Sequence, residues 1–252
     1  MPTRDTNWPT GTPCWIDYGA ADIEAAKSFY SDVLGWTYEG GDPEYGGYLT
    51  AQTNGLAAAG IAPQQDPNDP PKWMTYFASD DVDGTAKRIT EAGGTLLFEP
   101  MDVGPMGRMV IARDPQGHPF GVWQGAEHIG ARIYNEPGAL VWNEAAVDDP
   151  KAAQEFYSAV FGFTFEEIPD MGGYATFKTD GGPLGGLGGH QPGSPKGWTA
   201  CFSVDNADKA VEAVEKGDGK VTMAAQDTSF GRFAVVEDAW GAAFSVMQEP
   251  PS

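Results

Sequence analysis

Two carboxylates stand two residues beyond a tryptophan, Asp17 in CWIDY and Glu144 in VWNEA. Side chains two apart on an extended strand share a face, so each acid lies beside an indole. Such a carboxylate can balance a cation or accept a hydrogen bond from a flat ligand, or, once desolvated, act as a general acid or base. Other chemistry is poorly provided for. His118 falls in a DPQGH turn, His128 in a Gly- and Pro-containing joint and His190 in a glycine-rich loop, so exposed turn positions and no cluster are expected of them. No Ser or Cys sits in a G-x-S-x-G or Cys-His context, and Cys14 and Cys201 are expected as reduced structural thiols. The glycine-rich run 181–189 lacks the Lys-Ser/Thr ending of a phosphate loop.

The chain as a whole limits its partners. With 252 residues, 41% of them hydrophobic, it can fill one large core or two ordinary ones. Its 36 acidic against 15 basic residues give a formal charge of −21, a field that repels nucleic acid and favours cationic small molecules. No apolar run approaches the length of a membrane helix and the N-terminus lacks a signal-like segment, so no membrane partner and a cytoplasmic location are expected.

The elements that must position Asp17 and Glu144 are written twice. KSFYSDVLGW (27–36) returns as QEFYSAVFGF (154–163), YGGYLTAQ as MGGYATFK, and GRMVIARDPQGHPFGVWQ as GRFAVVEDAWGAAFSVMQ, at an offset that drifts only from 127 to 124. The copies run over 13–124 and 139–248, with an N-terminal segment 1–12, a linker 125–138 and a tail 249–252. Within the first copy, Ala26, Phe29, Tyr30 and Val33 recur at helical spacing before Gly35, and strands are expected near 14–18, 36–39, 46–52 and 56–62. The order repeats with a strand at 73–79, a helix opening near Asp80–Asp83, and strands near 95, 108 and 119. Four βαβββ units in two α+β domains are expected.

The FYSDVLGW helix, the helix entry ASDDVDGTAKRITEAGG and the hairpin ARDPQGHPF resemble the vicinal oxygen chelate superfamily, which includes glyoxalase I, bleomycin resistance proteins and extradiol dioxygenases. The resemblance covers both copies and implies glyoxalase-like domains with half-closed sheets whose concave faces hold a ligand or metal. The positions of the family's metal ligands are held here by Trp15, Met74 and Gly121 in the first copy and by Trp142, Thr199 and Ser245 in the second. These residues cannot assemble a divalent-metal site, so no metal and no other cofactor is expected.

Strand alternation from those positions gives the contents of two cups. The first collects Trp15, Asp17, Met74, Tyr76 and Trp123, with Tyr48 at its edge; the second collects Trp142, Glu144, Thr199, Cys201, Ser245 and Met247, with Tyr174 matching Tyr48. The resulting expectation is metal-free binding of a small, flat, cationic or hydrogen-bonding aromatic metabolite or antibiotic, the first cup being the more aromatic. One alternative is a metal-independent lyase, isomerase or hydroxylase-like tailoring enzyme with Asp17 or Glu144 as acid or base. The other is a structural or interaction protein with filled cups, its two acids paired with Arg108 and Arg232. Duplication allows either a monomer containing an internal pseudo-dimer or a homodimer. Asn143 stands out, since its phase places it on the buried face of its strand, where it needs a partner.

Overall fold

The computed structural model describes residues 2–169, 171–191 and 194–250; of the tail, positions 251 and 252 lie outside the described residues. The first copy runs β1 (Pro13–Ala20), α1 (Ile23–Leu34), β2 (Thr37–Gly40), β3 (Leu49–Thr53), β4 (Leu56–Pro63), β5 (Trp73–Ala78), α2 (Val82–Glu91), β6 (Thr95–Leu96), β7 (Met101–Val103), β8 (Gly107–Arg113) and β9 (Pro119–Gly125). The second runs β10 (Leu140–Val147), α3 (Pro150–Phe161), β11 (Thr164–Glu167), β12 (Ala175–Lys178), β13 (Gly185–Gly189), β14 (Gly197–Ser203), α4 (Ala207–Lys216), β15 (Lys220–Thr228), β16 (Gly231–Glu237) and β17 (Ala243–Gln248). The first sheet has the order β2-β3-β4-β1-β5-β9-β8-β6 with β7 added against β8, and the second the order β11-β12-β13-β10-β14-β17-β16-β15. Both sheets are open at their ends, in keeping with the half-closed sheets expected of two α+β domains.

The repeated helix has repeated signals. Asp22 and Asp149 cap the backbone N–H groups of Ala25 and Ala152, and Gly35 and Gly162 end the helices at φ 72° and 74°, a conformation that favours glycine. The faces these helices bury are shared between the copies. Tyr30 and Trp73 pack with Phe202, Phe244 and Val246, while Phe77 and Phe120 pack with Tyr157, Phe161 and Phe177. Each helix therefore covers its own sheet and also builds the joint between domains, with α1 against α4 and α2 against α3.

This arrangement makes two sequence motifs meet. The Tyr30 hydroxyl donates to Asp238 Oδ2 at 2.8 Å and the Tyr157 hydroxyl to Asp114 Oδ2 at 3.1 Å, so each FY helix reaches the aspartate of the opposite copy's β-hairpin. The indoles of Trp73 and Trp198 donate to the same two tyrosines. His118 belongs to this joint: it is buried, with Nδ1 3.1 Å from Asp114 Oδ2, which corrects the expectation of an exposed turn histidine. Burial pushes the Asp114 carboxyl up, but hydrogen bonds from His118 and Tyr157 outweigh it and hold the group below its ordinary range. Asn143 finds its partner here too, accepting from Thr75 Oγ1 across the joint at 3.0 Å. No helix among the described residues is long and apolar enough to cross a membrane.

Candidate functional site

With Ile16 and Tyr18 committed to the core, β1 turns Trp15 and Asp17 to the opposite face; with Asn143 and Ala145 inward, β10 does the same for Trp142 and Glu144. In each cup an indole donates to a tyrosine hydroxyl, Trp15 Nε1 to Tyr48 at 2.8 Å and Trp142 Nε1 to Tyr174 at 3.1 Å. Each tyrosine crosses a strand glycine. A Cβ on Gly60 would lie 1.8 Å from the Tyr48 hydroxyl, and one on Gly186 would lie 1.7 Å from that of Tyr174. The matching runs TNGLAAAG (53–60) and 181–189 read in the sequence as strand-turn-strand with a tight backbone approach, and Gly60 and Gly186 are where a ring makes that approach.

Beyond this shared unit the cups diverge. In the first, Trp15, Tyr76 and Trp123 are buried in a cluster with Cys14, Ile111 and Ala131, and Met74 and Trp8 pack against it. Ala131 belongs to the linker, which crosses the face as a strap: Ala131 N donates to Cys14 O and Arg132 N to Ala57 O. The N-terminal segment adds the Trp8 indole, 3.0 Å from Ala131 O. His128, expected in an exposed turn, is partly buried here instead. Its ring meets the Trp15 ring edge-on at 4.5 Å, its carbonyl accepts from Trp123 Nε1 at 2.7 Å, and its buried Nε2 has no partner among the described residues. Burial lowers its pKa to about 4. Burial pushes the Asp17 carboxyl up to about 7, opposed by a hydrogen bond from Tyr76. The Tyr76 ring lies across Gly121, where a Cβ would come within 2.1 Å of it.

The second cup keeps its acid and loses the cover. Trp142, Glu144 and Tyr174 are partly exposed, and none of them belongs to a buried cluster. Because an indole N–H only donates, the Tyr174 oxygen accepts from Trp142 and its own hydrogen goes to Glu144 Oε2, 3.2 Å away. Burial raises the Glu144 carboxyl, and the Tyr174 bond opposes that rise. Thr199, Cys201 and Ser245 form a floor of small buried side chains. The thiol of Cys201 is raised by burial and by the nearby Glu144 carboxylate, and Cys201 and Cys14 are free thiols.

The arginines expected as alternative partners are taken elsewhere. Arg108 pairs with Asp83 and Asp102, and Arg232 with Asp208 and Asp227. At the family's metal positions Trp15, Met74, Gly121 and Trp142 offer no suitable donor, and two hydroxyls, Thr199 and Ser245, do not make a metal site. Among the described residues no group of three or more His, Cys, Asp or Glu side chains converges. A cavity of about 510 Å³ lies between the C-terminal end of α1 and the start of α4, and no residue of either cup lines it.

The model of the Glyoxalase/Bleomycin resistance protein/Dioxygenase superfamily matches residues 15–122 and again 139–246. The chain belongs to this superfamily. Among its relatives, the protein CFP32 of Mycobacterium tuberculosis, named provisionally as a glyoxylase, is 39% identical over 100% of this chain and 99% of its own. The anthracycline biosynthesis protein DnrV of Streptomyces peucetius is 35% identical over 96% of this chain and 95% of its own. Of solved structures, the Mn(II)-bound glyoxalase from Novosphingobium aromaticivorans superposes with a TM-score of 0.68 at 15% identity, covering 96% of this chain and 83% of that one. The 2,3-dioxygenase LapB from Pseudomonas sp. KL28 gives 0.65 at 15%, covering 96% and 95%. At that identity the superfamily likeness speaks for the fold alone.

Proposed function

We propose that this superfamily member binds a small, flat aromatic ligand on the concave face of its second sheet, without a metal, and that the first cup is structural. The observation that carries this reading is the unequal cover over two otherwise matching units. Trp15 is 4% exposed beneath His128 and the strap, so that only Asp17 and Tyr48 of its unit keep partial exposure, whereas the indole of Trp142 stays accessible together with Glu144 and Tyr174. An indole wall offers stacking, and Glu144 offers an acceptor to a hydrogen-bonding or cationic group on the ligand. The name of the 35% identical relative puts that protein in anthracycline biosynthesis, which favours a small-molecule ligand here. Asp17, Tyr48, Met74, Tyr76 and Trp123 then support the fold. Domain pairing within one chain supports a monomer as the working unit.

The test is mass spectrometry of gently purified protein to identify a co-purifying ligand, followed by titration of that ligand into Trp142→Ala and Trp15→Ala. Trp142→Ala should weaken binding at least tenfold with little change in the unfolding midpoint, as loss of a central aromatic anchor does. A ligand lost through Trp15→Ala under folded conditions, and unaffected by Trp142→Ala, would move the site to the first cup. A second reading, acid or base catalysis at Glu144, is favoured by the raised carboxyl and its Tyr174 partner. It requires a released product whose mass differs from that of the bound compound, whereas a sequestering protein returns the compound unaltered.

A further inference from the structure

The two cups differ at one coupled pair of positions. In the first, Tyr76 and Gly121 are direct neighbours on β5 and β9, and the ring of one occupies the space above the other. Tyr76 pairs with Trp15 across the ladder, next to Asp17 on the same face, and its hydroxyl opposes the rise that burial gives the Asp17 carboxyl. In the second, the corresponding neighbours on β14 and β17 are Cys201 and Ser245. A side chain at the glycine position is possible there because no ring lies across it. Glu144 therefore receives the Tyr174 bond on Oε2 and, among the described residues, has no phenol on β14 in the place that Tyr76 takes on β5. In effect the first cup holds its own occupant, an aromatic ring bearing a neutral hydroxyl, and the second cup lacks it.

We infer that the ligand of the second cup presents a neutral aromatic hydroxyl to Glu144, its ring lying over Cys201 and Ser245 where the first cup holds the phenol of Tyr76. This rests on the reading above that the second cup is the binding site. A hydroxyl suits the local chemistry better than an ammonium group. Glu144 is only partly exposed, and bringing a cation beside it costs the hydration of both charges, whereas a neutral donor leaves its own solvation shell cheaply. The chain's net charge of −21 attracts cations at long range, but salt screens that field over about 8–10 Å and contacts inside the cup decide the fit.

The experiment is isothermal titration calorimetry of the full chain at pH 7.5 with 2-naphthol, 2-methoxynaphthalene and 2-naphthylmethylammonium, each also titrated into Cys201→Tyr/Ser245→Gly. That double variant transplants the first cup's ring together with the glycine it needs. The naphthol should bind at least tenfold more tightly than either analogue, and the double variant should lose that binding at least tenfold while keeping its unfolding midpoint. Should the double variant misfold, Cys201→Leu fills the same space with a smaller group and should weaken the naphthol at least fivefold. An ammonium compound that binds as well as the naphthol, and is still blocked by the variants, overturns the hydroxyl assignment and leaves the second cup standing as the site. Naphthol binding undiminished in folded variants, or no binding of any of the three, overturns the inference, and the former overturns the placement of the site as well.

Discussion

The first and second cups are built on corresponding strands and keep the same unit of tryptophan, tyrosine and crossing glycine, yet the indole of one is buried under a strap and that of the other stays accessible. The difference lies around that unit. Tyr76, Gly121 and Trp123 in the first cup correspond to Cys201, Ser245 and Met247 in the second, and only the first carries the strap with His128. A duplicated domain thus lets one copy turn a concave face into core while the other remains accessible. What separates them is the cover and the floor, because the indole, the hydroxyl and the acid are present in both. The largest expected effect follows from this. Trp15→Ala should destabilise the protein by about 3–5 kcal/mol, the cost of emptying a buried aromatic site, and Trp142→Ala by roughly 1 kcal/mol or less. Urea unfolding monitored by circular dichroism compares the two directly, and equal losses would break the distinction between a filled and an open cup.

Much of this was legible in the chain. The helix caps, the FY positions and the FY…LG and D-P-x-G phrases fix the unit order, and the alternation about Trp15 and Trp142 assigns the faces, because periods of 3.6 and 2 are local properties. Asn143 was visible as an anomaly, and its answer, Thr75, lies 68 residues away across the joint. The strap was not legible. Residues 125–138 have the composition of a linker, and nothing local reveals that His128 and Ala131 settle onto the first sheet. The same is true of His118, whose turn reads as exposed until Tyr157 of the other copy closes over Asp114. Long-range packing, which local pattern does not encode, also gathers Trp15, Tyr76 and Trp123 of the more aromatic cup into a buried cluster with Ala131 of the strap.

The domain joint, where the halves are most alike, sharpens the comparison. Tyr30→Phe and Tyr157→Phe each remove one hydroxyl from a buried aspartate, a change worth about 1–3 kcal/mol when the acceptor is left short of a donor. Asp114 retains His118 on the same oxygen, Oδ2, while Asp238 keeps backbone donors from Trp240 and Ala242 on Oδ1 and has nearby the buried Tyr18 hydroxyl, which makes no hydrogen bond among the described residues. Tyr30→Phe should therefore be the costlier substitution, read as the difference in thermal unfolding midpoint between the two variants. The reverse order would show that His118 contributes nothing to holding Asp114.

The smallest effect tests the seal on the first cup through its protons. Asp17 has a folded pKa of about 7 against an ordinary 3.8, and His128 one of about 4 against 6.5. Between pH 4 and 6.5 the unfolded chain carries an ionised Asp17 and a protonated His128, while the folded cup holds a protonated Asp17 and a neutral His128. Each state keeps one proton on the pair, so the two groups together contribute almost no pH dependence across this window. Removing either one exposes the other. In Asp17→Asn the unfolded chain binds the extra proton, at His128, and stability should rise with pH from about 4 to 6.5. In His128→Phe the folded chain binds it, at Asp17, and stability should fall from about pH 4 to 7. Partial exposure of both side chains holds the amplitude to about 1–2 kcal/mol in each case. Unfolding free energies measured at half-unit pH steps should give slopes of opposite sign for the two variants, with the parent between them. Parallel profiles would mean that Asp17 and His128 stay hydrated under the strap, and the first cup would then be as open as the second.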